Sequence, residues 1–390
     1  MFSLHIAAMI FILLGIYCII SLVSLLLNKK FDLIFENIKS ISLLGVSFML
    51  LAGYWLIGLF GNNFLEQFNQ QHFEAFATIA DPRVGLTFTV LSLYGFWAEQ
   101  QPWALQFIRP NSSLILWIPL YLVLAFFVLF GLWKSFGEKE KTTKTWFIVS
   151  GLVGFLFAVG INFLFIGKIH QWLFENIWWW AGFRDTSKWS VLIVLAYGYF
   201  GGLGAGEVFK FLKKYFNSTF LVTMLLAVPI IYTYPIWGGF SRQLQSVWYP
   251  TSWHQAAEVI EKQNSNSKIL FLPWHQYYSL SFNNNILTIN PAKAFFGGNI
   301  IQSHAAELGS VTEQIGDPLA GRVDMVLEES LTLTPDETIK KLANLGITHI
   351  LVSHDFFDLP NEGIISIFES EYLNVIFSAK DLTFFEIMVR

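Results

Sequence analysis

An α-helical transmembrane bundle of about six helices, followed by a small extracytoplasmic α/β domain with a mixed sheet, is the architecture the sequence predicts. Three observations predict it. Of 390 residues, 54% are hydrophobic and only 13% are charged, against roughly 25% charged in an average soluble domain. Six apolar stretches, at 4–27, 40–60, 114–133, 146–166, 189–206 and 219–237, reach or approach the roughly 20 residues needed to cross about 30 Å of hydrocarbon. After residue 237 the composition changes, and helix and strand patterns alternate to the end of the chain. The expected division is a polytopic membrane domain over 1–240, with outer loops 61–113 and 167–188, and an extracytoplasmic domain over 241–390.

The first stretch is too long, and too lightly charged at its start, for a cleaved signal peptide, and reads as a retained span. The loops then set the orientation. Lys29, Lys30 and Lys39 follow the first stretch, Lys134, Lys139, Lys141 and Lys144 the third, and Lys210, Lys213 and Lys214 the fifth. The longer loops between hold only Arg83, Arg109, Lys168, Arg184 and Lys188. Positive charge stays on the cytoplasmic side. The short loops are therefore inside, and both termini of this multi-pass plasma-membrane protein are extracytoplasmic. An outside N-terminus of this kind is what a larger membrane protein gives when divided after an odd number of helices, a genuine N-out protein being the alternative. In the fifth stretch Gly198, Gly202 and Gly206 recur every four residues, which predicts the close approach of a second helix. The surrounding "GGLGAG" has no strand before it and reads as packing rather than as a nucleotide loop.

In the C-terminal domain, "YPTSWHQAAEVIEKQ" predicts a helix capped by Thr251 or Ser252, with Ala256, Val259 and Ile260 on one face. "KILFLPW" predicts a buried strand ended by Pro273. In "TPDETIKKLANLGITHILVSHD", Thr334 and Glu337 form a capping box, Pro335 takes the first helical position, and Gly346 stops the helix before a strand at 348–353. A helix near 363–371 and a hairpin turning at Lys380–Asp381 complete a mixed sheet flanked by helices.

Several function classes are disfavoured. A net charge of −4 without a basic block argues against nucleic acid as a partner. Cys18 is the single cysteine and lies in an apolar run, and the sequence has no HExxH, paired CxxC, GxSxG elbow or P-loop, so no metal site is predicted. No Asp, Glu, Lys or Arg interrupts a predicted span, which disfavours ion-coupled transport.

Three charges stand close together in "WWWAGFRDTSKWS", residues 178–190, between a tryptophan cluster and a hydrophobic run. Trp178, Trp179, Trp180 and Trp189 suit the membrane surface, where an apolar ring with a polar N–H is favoured. Arg184 and Lys188, four apart, share a face if the segment is helical, with Asp185 three before Lys188. Two cations at headgroup depth can grip a phosphate, arginine through its fork and lysine as a point charge. The alternative is a pair of cations snorkelling to ordinary lipid. The long loop 61–113 carries the carboxylates Glu74, Asp81 and Glu99, of which Asp81 and Glu99 are candidates for the base that a glycosyl transfer needs. "Asp81-Pro82" equally suits a turn. In "LPWHQYYSL", Trp274, His275 and Tyr277 offer aromatic faces and polar edges to a glycan.

Five words in the chain, "YWLIGLF", "LYGFW", "FRDTSKW", "ILFLPWHQY" and "LANLGITHILV", together resemble the later half of prokaryotic polytopic proteins of the GT-C glycosyltransferase superfamily. YfhO-like membrane proteins and actinobacterial arabinofuranosyltransferases are the nearest in pattern. Phe183, Arg184, Asp185 and Lys188 are the most specific part. The resemblance implies a transferase moving sugar from a polyprenyl-phosphate carrier to an envelope glycan, with the lipid bilayer, the lipid-linked sugar and the glycan acceptor as partners. It singles out no cofactor beyond the polyprenyl-phosphate-linked sugar donor. In such proteins the catalytic acid stands in the first outer loop of the N-terminal half, which has no counterpart here. A non-catalytic membrane protein that binds glycan or supports envelope assembly is the alternative.

Overall fold

The computed structural model describes residues 4–60, 70–96, 114–137, 141–242, 246–264, 266–305, 317–355 and 367–389. Its chain forms two compact units, the first running to Ser241 and the second beginning at Arg242.

The first unit is helical. It contains α1 (Leu4–Leu27), α2 (Phe31–Phe60), α3 (Gln70–Ala75), α4 (Gly85–Leu91), α5 (Leu114–Ser135), α6 (Lys141–Ala158), α7 (Leu164–Asn176), α8 (Ser190–Leu212), α9 (Ser218–Tyr232) and α10 (Trp237–Arg242). Among the described residues four stretches are long and apolar enough to span a membrane: Ala8–Leu27, Ile115–Ser135, Thr186–Leu212 and Ser218–Gly239. The second expected span falls within α2, where the side chains of 51–60 lie outside the described residues.

The fourth expected span is not continuous. Helix α6 stops at Ala158, and α7 begins only at Leu164. Gly160 between them has a φ of +58°, and a Cβ there would stand 2.8 Å from the Thr186 methyl. A left-handed glycine therefore ends the helix and admits Thr186. A hydrophobic run alone does not register such a turn.

Glycines do bring the helices together, but not those of the expected stripe. A Cβ on Gly131 of α5 would overlap the Phe200 carbonyl oxygen of α8, and one on Gly204 would overlap the Phe127 carbonyl oxygen. Gly154 of α6 lies against Leu192, and Gly151 against Ala196. Around Gly198, Gly202 and Gly206 there is open space. The face of α8 that meets its neighbours runs through Ala196, Phe200 and Gly204. Packing is thus the role of the glycine-rich run, on a face rotated from the one its spacing suggests.

The second unit has a sheet between two helical layers. Its strands are β1 (Ile269–Leu272), β2 (Tyr277–Ser279), β3 (Leu287–Ile289), β4 (Ile300–Ile301), β5 (His349–Ser353), β6 (Leu373–Ser378) and β7 (Leu382–Ile387). The sheet order is β4-β1-β5-β7-β6, with β2 and β3 forming a separate hairpin. β1 is parallel to β4 and β5, while β7 is antiparallel to β5 and β6.

Alternation along the strands feeds two cores. Leu270, Leu272, Ile350 and Val352 face α13 (Pro318–Glu329) and α14 (Pro335–Asn344) through Val323, Leu327, Ile339 and Leu342. Ile269, Phe271, Leu351 and Phe384 face α11 (Thr251–Glu261) through Trp253, Ala256 and Ile260, with Ala292 of α12 (Ala292–Phe296) beside them.

The capping box of α14 is present, and Gly346 has a φ of +84° just past its end. Helix α11 departs from expectation at its start. Pro250 occupies the cap position without a side-chain bond, and the Ser252 hydroxyl instead donates to the Asp381 carboxylate at 2.6 Å. The expected helix at 363–371 falls largely outside the described residues.

Candidate functional site

The segment 178–190 does not form one helix. Two 3-10 turns, Trp178–Phe183 and Thr186–Trp189, are separated by Arg184 and Asp185. Asp185 caps the second turn, accepting from the Ser187 amide at 3.2 Å and the Ser187 hydroxyl at 2.6 Å. The expected helical face shared by Arg184 and Lys188 is therefore replaced by another arrangement. Arg184 Nη1 donates to the Ala181 carbonyl at 3.3 Å, and Lys188 Nζ to the Gly182 carbonyl at 3.4 Å. Both cationic heads are brought to consecutive peptide carbonyls. Both residues are half-buried, and the Arg184 guanidinium lies 4.8 Å from the centre of the Phe76 ring, a cation–π contact.

The tryptophans correct a further expectation. Trp180 and Trp189 are buried in a core with Phe183, and only Trp179 of the described cluster is exposed. Trp189 stacks on Phe157, with centroids 4.6 Å apart. Trp180 donates its Nε1–H to His170 Nδ1 at 3.3 Å, and His170 Nε2 lies 3.2 Å from the Phe157 carbonyl. The carbonyl can only accept, so His170 is the neutral Nε2–H tautomer, bonded at both nitrogens. Burial pushes its pKa down to about 4. These rings hold the turn that carries the two cations, rather than anchoring it in headgroups.

A second segment, residues 76–96, is tied to the first by threonines. The Thr78 amide donates to Thr186 Oγ1 at 3.0 Å, the two hydroxyls are 2.8 Å apart, and Thr78 Oγ1 donates to the Ala158 carbonyl. Asn162 donates to the Thr78 carbonyl at 2.6 Å. On the far side of α4, Tyr197 and Tyr232 donate to the carbonyls of Leu91 and Ser92. Between the segments lies a cavity of about 160 Å³, with Thr78, Tyr94, Ser187 and Ser190 as its polar lining.

Asp81 is buried in this loop and fully engaged. Its carboxylate accepts from Arg83 Nε at 3.0 Å, Arg83 Nη2 at 2.8 Å, the Arg83 amide at 2.9 Å and the Tyr94 hydroxyl at 3.2 Å. The Arg83 guanidinium holds its carboxyl below the usual carboxylate range, which makes it a poor base. What Asp81 visibly does is orient Arg83, whose side chain is half exposed. Glu99 lies outside the described residues.

In the second unit the proposed glycan face is largely occupied. Trp274 is buried and donates to Asp324 at 2.7 Å. The His275 carbonyl accepts from Asn290, Tyr278 donates to the Pro273 carbonyl, and Tyr277 is half-buried in β2. Trp274 and Tyr278 are core residues, while His275 and Tyr277 are half-buried.

No protein-family model matches the chain, and no curated protein matches it. Solved structures do. The chain is similar to the arabinofuranosyltransferase AftD from mycobacteria at 13% identity and a TM-score of 0.49, over 88% of this chain and 24% of that one. A mutant of the same protein gives 12% identity and a TM-score of 0.42, over 82% and 23% of the two chains. The chain spans about a quarter of the length of these structures.

Sequence reasoning singled out Arg184 and Lys188 by their charge. It passed over Thr78, Thr186 and His170, which build the surroundings. Thr186 stands inside the quoted "FRDTSKW", but an uncharged residue in a charged word draws no attention.

Proposed function

We propose that this is a glycosyltransferase-like membrane protein that binds a polyprenyl-phosphate-linked sugar, with Arg184 and Lys188 on the carrier phosphate. The observation that carries the reading is the convergence of the two cationic heads on the Ala181 and Gly182 carbonyls at the start of an apolar span. Bonds of 3.3 and 3.4 Å to neutral carbonyls are long, and a phosphate offers both donors shorter, charge-assisted ones. The polar cavity between Thr78, Tyr94, Ser187 and Ser190 would take the sugar side of such a ligand. The substrate class itself comes from the GT-C-like words in the sequence. In this reading the segment and the C-terminal unit both face the outside of the cell, and the envelope glycan is the acceptor.

Replacing Arg184 or Lys188 by alanine should weaken polyprenyl-phosphate binding by roughly tenfold or more in a nanodisc titration, since hydrogen bonds to charged groups contribute about 1.5–3 kcal/mol. Unchanged affinity in both variants refutes the assignment. A second reading, a non-catalytic binder of glycan or envelope components, is favoured by one observation: the arginine clamp on Asp81 removes the described loop's buried carboxylate from service as a base. Transfer of radiolabelled sugar from a polyprenyl carrier by the purified protein would exclude it.

A further inference from the structure

At the other end of β1 from the occupied aromatic segment, the second unit holds a cleft of about 430 Å³, within the range of small-ligand sites. Its polar lining comes from three separate elements: Asn264, Asn266 and Ser267 before β1, Thr348 and His349 at the start of β5, and Glu386 near the end of β7. Ile347 and Ile387 supply an apolar side, and Gly346 contributes backbone without a side chain.

The chemistry of this lining is specific. His349 is 5% exposed, its ring stacks on Phe384 with centroids 5.2 Å apart, and its Nδ1 lies 2.8 Å from Thr348 Oγ1. Its Nε2 is buried and has no hydrogen-bond partner among the described residues. Burial holds the imidazole below its usual range, so it is neutral at physiological pH. Thr348 Oγ1 also accepts from the Lys268 amide at 3.1 Å and lies 3.2 Å from the Lys268 carbonyl. Its one proton can go to that carbonyl or to Nδ1. His349 Nε2 is correspondingly an acceptor or a donor, and a hydroxyl group satisfies either. Glu386, the cross-strand partner of His349, accepts from hydroxyls, while the two asparagines both donate and accept. Lys268 Nζ stands beside Gly346, so the cleft that Glu386 lines already has a cation of the protein near its edge.

We infer that this cleft binds a neutral polyhydroxylated ligand, a mono- or disaccharide, through Asn266, Thr348, His349 and Glu386. The inference concerns the second unit and does not depend on the phosphate assignment in the first, so either can fail alone. The test is saturation-transfer NMR on the full chain in phosphatidylcholine nanodiscs, which avoids sugar-headed detergents. The probes are arabinose, mannose, galactose, maltose and cellobiose, with ethanolamine as a cationic control. At least one sugar should bind, and Glu386→Ala should weaken it at least tenfold. Asn266→Trp, an exposed change that fills the mouth without touching the core, should do the same with the thermal unfolding temperature unchanged. Absence of binding by all five sugars overturns the inference. So does binding by ethanolamine alone, or sugar binding that both variants retain.

Discussion

His170 is neutral and bonded at both ring nitrogens because protonation would put a second proton where Trp180 already donates. Its folded pKa of about 4 lies below the unfolded value of about 6.5. The folded state therefore binds fewer protons in that window, and stability is lost as pH falls from about 6.5 towards 4. The difference of some two and a half units corresponds to roughly 3 kcal/mol when complete. Thermal unfolding followed by tryptophan fluorescence should show this slope in the wild type, and His170→Gln should flatten it while lowering stability at neutral pH. Residues of this kind were the least legible from sequence. A lone histidine thirteen positions after a phenylalanine carries no signal, because its partners are a backbone carbonyl and an indole fixed by tertiary packing. Charged residues were legible as candidates, yet Asp81 shows the limit: its arginine two residues on was visible, whereas its burial was not.

Among the elements, the crossing of α5 and α8 makes the sharpest prediction. Gly131→Ala and Gly204→Ala each place a methyl on the facing backbone and should cost at least the ~1–3 kcal/mol typical of overpacking. Gly202→Ala, where the space is open, should be tolerated or mildly stabilising. Unfolding temperatures of the three variants in one detergent decide it; equal losses at 202 and 204 would contradict the crossing described. In the second unit, Thr334→Ala should cost about 1 kcal/mol by removing the cap of α14, read from chemical denaturation. That cap was legible because it is local: four residues specify it. The glycine face was not, because a spacing of four gives a stripe without saying which way the helix is turned. The stop at Ala158 was equally hidden, since Gly160 is one small residue in a hydrophobic run.

For the whole molecule, composition alone distinguished a membrane-type helical unit from a mixed-sheet unit. β4 and β5 both run parallel to β1, reached by long connections that carry α12 and then α13 and α14, whereas a short turn joins β6 and β7 as an antiparallel pair. Sidedness is a separate matter of loop lysines. It predicts that a tag after Arg390 is removed by protease added to intact cells; survival of the tag until the cells are broken would reverse the orientation.

The Thr78–Thr186 pair joins positions 108 residues apart. A ribosome adding roughly 5–20 residues per second needs about 5–20 s to cover that interval. Throughout it, the first threonine has been made and its mate has not. The polar knot beside the cavity is thus a late event in biogenesis, tied only after helices α4 to α7 have been made, and a nascent chain stalled before codon 186 leaves it undone.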